Sequence, residues 1–207
     1  MRLTVADIKK SFGRKIIFQN IAFELKISES LSISGANGSG KSTLMKTIAG
    51  LLTPTSGKVS YVLNEKELDR AGLMRYIGFV SPYLYLYQNL TGYENVGFSL
   101  QCKGIAEQPE KVDDLFKFFG IEKAKHEQIK TYSSGMLQRL RFIQALAPNP
   151  KVLFLDEPTT TLDQSGKSLL WNYVNGLKNE IIMVIASNDT DDIRQCEQTL
   201  CLENFKN

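Results

Sequence analysis

The chain has 207 residues, of which 43% are hydrophobic and 23% charged, as expected for a folded globular protein with one sizeable domain. Its net charge of +3 comes from basic residues scattered along the chain, which argues against a nucleic-acid-binding surface. The first residues lack the apolar core of a signal peptide, and no run approaches the roughly 18 apolar residues that span a bilayer, so we expect a cytoplasmic protein.

The first part of the chain is predicted to form strands around a glycine-rich turn. Residues 15–27 alternate apolar and polar side chains over much of their length, as half-buried strands do. Residues 30–52 move from a short strand through the glycine-rich turn into an apolar helix, which the Pro- and Gly-containing segment 53–57 ends. Residues 58–63 and 76–80 are further strand candidates.

From about residue 90 to residue 147 the periodicity becomes helical. Strands are predicted again at 151–155, 180–187 and 198–202, with a helix around 164–178. Because a run such as "VLFL" is apolar on both faces, we expect central parallel strands covered on both sides. The pattern therefore predicts a parallel α/β core with a mostly helical block inserted in its middle.

Residues that commonly bind structural metals are few. His126 is the only histidine and lies in a charged stretch, which argues against a histidine-based triad or a multi-histidine metal site. Cys102, Cys196 and Cys201 follow no C-x-x-C or metal-ligand spacing. We expect them to be reduced, mostly packed thiols.

The stretch "GANGSGKST", residues 35–43, fits the pattern G-x-x-x-x-G-K-[ST] between a predicted strand and a helix. Its glycines let the backbone wrap closely, so that N–H groups and the positive end of the helix dipole converge on phosphate oxygens. We expect Lys41 to reach the β- and γ-phosphates and the Ser42 hydroxyl to ligate Mg²⁺. The predicted nucleotide-binding residues of this loop are Gly35, Ala36, Asn37, Gly38, Ser39, Gly40, Lys41, Ser42 and Thr43.

A second half of the site is predicted at "KVLFLDEP", where Asp156 and Glu157 follow an apolar strand. Parallel sheets bind ligands at the carboxyl ends of their strands. We expect Asp156 to hold the magnesium shell and Glu157 to polarise a water for attack on the γ-phosphorus. A helix cap is the alternative for a lone Asp–Glu pair, and the preceding strand argues against it.

Three further motifs stand in a recognisable order along the chain with the two described above. Phe12 stands upstream in "KSFGRK", "YSSGM" occupies residues 132–136, and "TTLD" ends at Asp163. With the two motifs above, the chain resembles the ATP-binding subunit of ATP-binding-cassette (ABC) transporters over nearly its whole length. In that family an aromatic residue stacks on adenine, a signature usually written L-S-G-G-Q contacts phosphate, and a D-loop ends in aspartate. The resemblance assigns these roles to Phe12, to Ser133 and Gly135, and to Asp163, while the other three signature positions differ.

The resemblance implies one ABC ATPase domain over residues 1–207. Its fold would be a P-loop NTPase core with a central, mostly parallel sheet, N-terminal antiparallel strands and an inserted helical subdomain. The core would cover about 1–82 and 148–207, and the helical signature subdomain about 83–147. Ser133, Ser134 and Gly135 precede a long predicted helix, so they form a second helix N-terminus suited to an anion.

The family also implies partners. Two ATP-binding subunits, identical or related, would pair head to tail, each signature closing on the other subunit's Mg-ATP. A separate membrane-spanning permease would hold the pair at the inner face of the membrane. "YLYLY", residues 83–87, would present its tyrosines on one face if extended, and this region either contacts the permease or forms a packed subdomain junction. The short segment after the last strand favours the exporter type.

Two positions depart from the family pattern. Pro82 stands where a glutamine usually contacts Mg²⁺ and water, and Asn188 stands where a histidine usually contacts the γ-phosphate. Losing one preorganised donor typically costs about 10²–10³ in rate, and an amide in its place should cost less. We therefore expect Lys41, Glu157 and Asn188 to support slow ATP hydrolysis; the alternative is that this branch of the family manages well with Pro and Asn.

Two other functions fit some of the motifs. A soluble ABC-type ATPase acting on nucleic acid or the ribosome would usually carry two cassettes or a long coiled coil, and neither is seen. A P-loop kinase for a small molecule would give Ser133 no role.

Overall fold

The computed structural model describes residues 1–206. The strands, in chain order, are β1 (Arg2–Phe12), β2 (Lys15–Lys26), β3 (Ser30–Ser34), β4 (Ser56–Leu63), β5 (Lys66–Glu67), β6 (Ile77–Val80), β7 (Val152–Asp156), β8 (Ile182–Ala186) and β9 (Gln198–Cys201). The helices are α1 (Lys41–Ile48), α2 (Arg70–Met74), α3 (Gly92–Cys102), α4 (Pro109–Phe118), α5 (Ser134–Leu146), α6 (Gln164–Leu177) and α7 (Thr190–Ile193). Short 3₁₀ turns lie at Glu122–Ala124, Ile129–Thr131 and Leu202–Phe205.

The strands form two sheets. One is antiparallel in the order β2-β1-β4-β5, and its first hairpin pairs Phe12 with Lys15. Gly13 makes this two-residue turn possible because its φ is +57°, a conformation that costs glycine little. The other sheet is parallel, in the order β6-β7-β8-β3-β9.

The parallel sheet is covered on both faces, which is why its central strands are apolar throughout. Along β7, Leu153 and Leu155 pack in a cluster with α3, α4 and α5, whereas Val152 and Phe154 pack in a second cluster with α1 and the antiparallel sheet. Phe154 is fully buried, and its truncation to alanine would cost about 3–5 kcal/mol.

Three helices of the inserted segment begin at defined signals. Thr91 and Glu94 form a capping box at the start of α3, Pro109 opens α4, and the Ser133 side chain caps α5. The side of the parallel sheet that carries Leu153 and Leu155 packs against these helices. The boundaries of this helical part, at about 83 and 147, stay a prediction.

Several local predictions were incomplete or wrong. Residues 2–12 form a long strand that the sequence did not single out, and α2 and α7 were not predicted. Residues 83–87 are not a strand, although Tyr83, Tyr85 and Tyr87 are exposed and Leu86 is buried. Cys102, the last residue of α3, is exposed, so the expectation of packed thiols is wrong there. Within residues 1–206, no helix combines the length and apolar character needed to cross a membrane.

Candidate nucleotide-binding site

Four neighbouring strands deliver polar residues to one edge of the parallel sheet. Val80 pairs with Leu155, and Asp156 pairs with Ala186, so Ser81, Asp156 and Ser187 emerge side by side. Ile33 pairs with Ala186 on the other side of β8, which brings the loop after β3 to the same edge. Strand order therefore assembles residues that are distant in sequence.

The loop 35–40 closes tightly before α1. Gly35, Gly38 and Gly40 have φ values of +148°, +74° and +110°, which side-chain-bearing residues rarely adopt. Gly40 is the N-cap of α1 and provides no side-chain hydrogen bond to the first N–H groups. The loop thus presents backbone donors at the positive end of a helix, as phosphate binding requires.

The ammonium of Lys41 is held inside this loop. It donates to Gly35 O at 2.7 Å, Ala36 O at 3.3 Å and Asn188 Oδ1 at 3.0 Å, and it lies 3.9 Å from Glu157 Oε1. The Lys41 side chain is only 6% exposed. A buried cation in place before a ligand arrives favours an anionic ligand.

Asp156 is completely buried and bound by two hydroxyl groups. Ser42 donates to one carboxylate oxygen at 2.9 Å, and Ser81 donates to the other at 3.0 Å. Burial raises the pKa of Asp156, and the two hydroxyl hydrogen bonds counteract part of that effect. A carboxylate in contact with a hydroxyl suits Mg²⁺, which prefers oxygen ligands and takes further ones from phosphates and water. Ser42 and Asp156 therefore fit the predicted magnesium site.

Glu157 follows in an unusual backbone conformation. Its φ is +47°, a left-handed value that costs a side-chain-bearing residue about 1–3 kcal/mol and is concentrated at functional sites. A hydrogen bond from its N–H to Ala186 O at 2.8 Å holds this conformation. Burial raises the pKa of the Glu157 carboxyl, and the Lys41 charge lowers it.

Asn188 follows β8 and bonds to two residues, Lys41 and Asn37, at the start of α1 and in the loop before it. Its carbonyl oxygen accepts from Lys41, and its amide nitrogen donates to Asn37 Oδ1 at 2.5 Å. Both halves of the amide are therefore engaged with the P-loop side of the site. A neutral side chain makes these contacts without adding charge beside Lys41.

An open pocket of about 690 Å³ lies at this edge of the sheet. It is lined by residues 37–43 together with Pro82, Tyr83, Glu157 and Thr160. Pro82 has no side-chain donor or acceptor, so at this position it offers the pocket only apolar surface.

Some predicted site residues bond to the pocket's lining without being part of it: Gly35, Ala36 and Asn188 bond to Lys41, and Asp156 bonds to Ser42. Among residues 1–206, the lining also does not include Phe12, Ser133, Gly135 or Asp163. Phe12 ends β1 with its side chain 53% exposed, and the Lys10 ammonium lies 5.0 Å from its ring centroid. Its stacking on adenine stays a prediction.

Ser133 and Gly135 start α5. The Ser133 hydroxyl accepts from the Met136 N–H at 3.2 Å, and a methyl group built on Gly135 would lie 3.7 Å from Thr161 O. Asp163 caps α6 by accepting from the Gly166 N–H at 2.8 Å and lies 3.5 Å from Arg139. The signature and the D-loop are therefore neighbours, and their contact with nucleotide stays a prediction.

The ABC transporter family model matches residues 18–160. The chain belongs to the ABC transporter family. The ABC transporter ATP-binding protein YxlF of Bacillus subtilis is 34% identical over 205 residues, covering 98% of this chain and 68% of that protein. The lantibiotic transport ATP-binding protein SrtF of Streptococcus pyogenes is 32% identical over 186 residues, covering 90% and 79%. The solved dimeric ABC transporter cassette MJ0796 is 26% identical with a TM-score of 0.85, covering 97% and 94%.

These comparisons confirm the predicted fold class and identify the chain as an ABC transporter ATP-binding subunit, a family with ATPase activity in general. They do not favour the nucleic-acid, ribosomal or kinase alternatives.

Several residues of the cassette pocket were missed by sequence analysis. Ser81 binds Asp156, and Thr160 and Tyr83 line the pocket. Ser81 could have been found from the sequence, because it is a polar residue directly after the apolar strand β6, just as Asp156 and Glu157 come at the end of the apolar strand β7.

Proposed function

We propose that this ABC ATP-binding subunit hydrolyses Mg-ATP and thereby powers a separate membrane-spanning permease. The observation that carries the proposal is the convergence of Lys41, Ser42, Asp156 and Glu157 at one edge of the sheet. Lys41 is a buried cation bonded within the P-loop, and Glu157 lies 3.9 Å from it.

In this proposal each group has one role. The loop N–H groups and Lys41 bind the β- and γ-phosphates, and Ser42 and Asp156 hold Mg²⁺, which neutralises phosphate charge. Glu157 accepts a proton from, or orients, the attacking water. Its raised pKa and fixed backbone suit a base that faces a pocket rather than bulk solvent.

Asn188 and Pro82 are the reason why we propose slow turnover. Asn188 donates one neutral hydrogen bond where the family usually has a histidine, and Pro82 contributes no polar side chain to the pocket. Since Glu157 is intact, we expect hydrolysis to be slowed rather than abolished.

The pocket is half of the proposed catalytic site. Ser133 and Gly135 start α5 on another part of the surface, so they reach nucleotide only if a second ATP-binding subunit, identical or related, presents them. The dimeric cassette MJ0796 is a precedent for such pairing. ATP would then join two subunits, and hydrolysis would release them.

The exposed tyrosines supply a docking surface for the permease. Tyr83 and Tyr85 are 79% and 74% exposed, and Tyr87 packs edge-on against Phe98 at 5.0 Å. Exposed aromatic side chains are common interface anchors. Such docking would hold the subunit at the cytoplasmic face of the membrane.

Export of the substrate is part of the same proposal. It is tested by reconstituting the subunit with its permease in vesicles and measuring in which direction substrate moves with ATP.

The experiment that tests the ATPase is steady-state Mg-ATP hydrolysis by wild type and Glu157→Gln. We expect slow turnover in the wild type and at least a 100-fold loss in Glu157→Gln, with ATP affinity retained because Lys41 and the loop are unchanged. Equal turnover by both proteins would contradict the role of Glu157.

A further inference from the structure

The turn after β9 contacts the P-loop from outside the nucleotide pocket. Because β9 pairs with β3, the 3₁₀ turn Leu202–Phe205 lies beside the loop that follows β3. Glu203 in this turn accepts from the Ala36 N–H at 2.6 Å, and its other oxygen accepts from the Cys201 thiol at 3.2 Å.

The P-loop is shaped to admit this carboxylate. A methyl group built on Gly35 would lie 2.8 and 3.0 Å from the two Glu203 oxygens, so a larger residue at position 35 would push this carboxylate away from its present place. Leu202, fully buried, would lie 3.6 Å from a methyl group on Gly40. The first and last glycines of the loop therefore both lie against the same turn.

The Ala36 N–H belongs to the same peptide group as the Gly35 carbonyl, which accepts from the Lys41 ammonium at 2.7 Å. One rigid peptide plane thus has the Glu203 carboxylate on its N–H side and the Lys41 ammonium on its C=O side. The two charge-assisted hydrogen bonds polarise the peptide in the same sense. Donation from Ala36 is also the main reason that the pKa of Glu203 is lowered, so the carboxylate stays ionised at neutral pH.

We propose that Glu203 is a positioning residue for nucleotide binding: it fixes the Gly35–Ala36 peptide so that Gly35 O holds Lys41 in place for the phosphates. Without an acceptor at position 203, this peptide is free to rotate, because Gly35 accepts many backbone conformations. Lys41 then loses a preorganised contact before ATP arrives. The inference rests on the ATP site described above.

The test is equilibrium binding of ATP to the full chain, by calorimetry, for wild type, Glu203→Ala and Glu203→Gln. We expect Glu203→Ala to weaken ATP binding about 3- to 10-fold, the value of one hydrogen bond. Glu203→Gln keeps an acceptor oxygen for the Ala36 N–H and should bind within about 2-fold of the wild type, because at this exposed position only the charge assistance of the hydrogen bond is lost. In hydrolysis, Glu203→Ala should raise KM and leave kcat nearly unchanged.

Glu197→Ala is the matched control, because Glu197 is an exposed carboxylate just before β9 whose side chain makes no bond to the P-loop. Wild-type affinity in Glu203→Ala would overturn the inference, as would an equal loss in Glu203→Gln and Glu203→Ala. A loss matched by Glu197→Ala would also overturn it. If the wild type itself fails to bind ATP, the nucleotide site is wrong, and the Glu203 inference falls with it.

Discussion

Two helix N-termini in this molecule are suited to phosphate, and they are built differently. The start of α1 has no side-chain cap, and Lys41 and Ser42 project from its first turn beside Asp156 and Glu157. The start of α5 is capped by its own Ser133 hydroxyl, and its non-local neighbour at Gly135 is a backbone carbonyl. The first is a site with its cation and carboxylates in place, whereas the second supplies only hydroxyl and backbone donors.

The difference has a functional consequence. A single chain should bind Mg-ATP at α1 without help, because the charged groups there come from the chain itself. The α5 start should act only when another subunit brings it to the phosphates. Nucleotide binding and dimer formation are therefore expected to be separable by mutation.

The largest expected effect is at the first helix. Lys41→Met removes the ammonium bonded inside the P-loop and should weaken ATP binding about 100-fold or more, since a charge-assisted hydrogen bond to phosphate is lost in a buried site. Calorimetric titration with ATP measures it. Lys58→Met is the control, because the Lys58–Glu67 ion pair is exposed on the antiparallel sheet; a similar loss in both variants would remove the special role of Lys41.

A smaller effect on binding, and a large one on assembly, is expected at the second helix. Ser133→Arg should leave ATP binding by the isolated chain within about 2-fold of the wild type, because Ser133 does not line the pocket. It should abolish ATP-dependent dimerisation and turnover, since a bulky cation replaces the hydroxyl at the start of α5. Sedimentation with Mg-ATP in the Glu157→Gln background measures the dimer. Ser56→Arg, on the exposed antiparallel sheet, is the control, and a dimer that survives Ser133→Arg would break the distinction between the two helices.

The smallest expected effect is at Asn188, whose side chain bonds to Lys41 and Asn37 at the α1 site. Asn188→His should raise kcat by about 2- to 10-fold, less than the effect of a whole preorganised donor, because the native amide already donates one hydrogen bond. A faster His variant would identify the native amide as a brake on hydrolysis. An unchanged rate would contradict the proposal that Asn188 slows this cassette.

Sequence alone located those candidate site residues that are close together in the chain. The P-loop, Asp156 and Glu157 each lie within one strand–turn–helix unit, and their spacing is visible in the sequence. Ser81 was missed because its approach to Asp156 depends on the pairing of β6 with β7.

Glu203 shows most clearly what could not be predicted from the sequence. It lies 167 residues from Ala36, and only the pairing of β9 with β3 brings the two together. The alternation in the tyrosine segment has another origin. The Tyr87 N–H donates to the Asn95 side chain rather than to a neighbouring strand, so alternation of residue types there reflects exposure without a sheet.

The most direct test of the central claim is to mix Lys41→Met with Ser133→Arg and measure Mg-ATP hydrolysis. Each variant alone should be inactive, because every site in its dimer lacks either the ammonium or the signature hydroxyl. In a mixed dimer, one site combines an intact Lys41 from one subunit with an intact Ser133 from the other, so mixing should restore turnover. If the wild type hydrolyses ATP in this assay and the mixture remains inactive at every ratio, the two helix N-termini do not act together across subunits, and the account is contradicted.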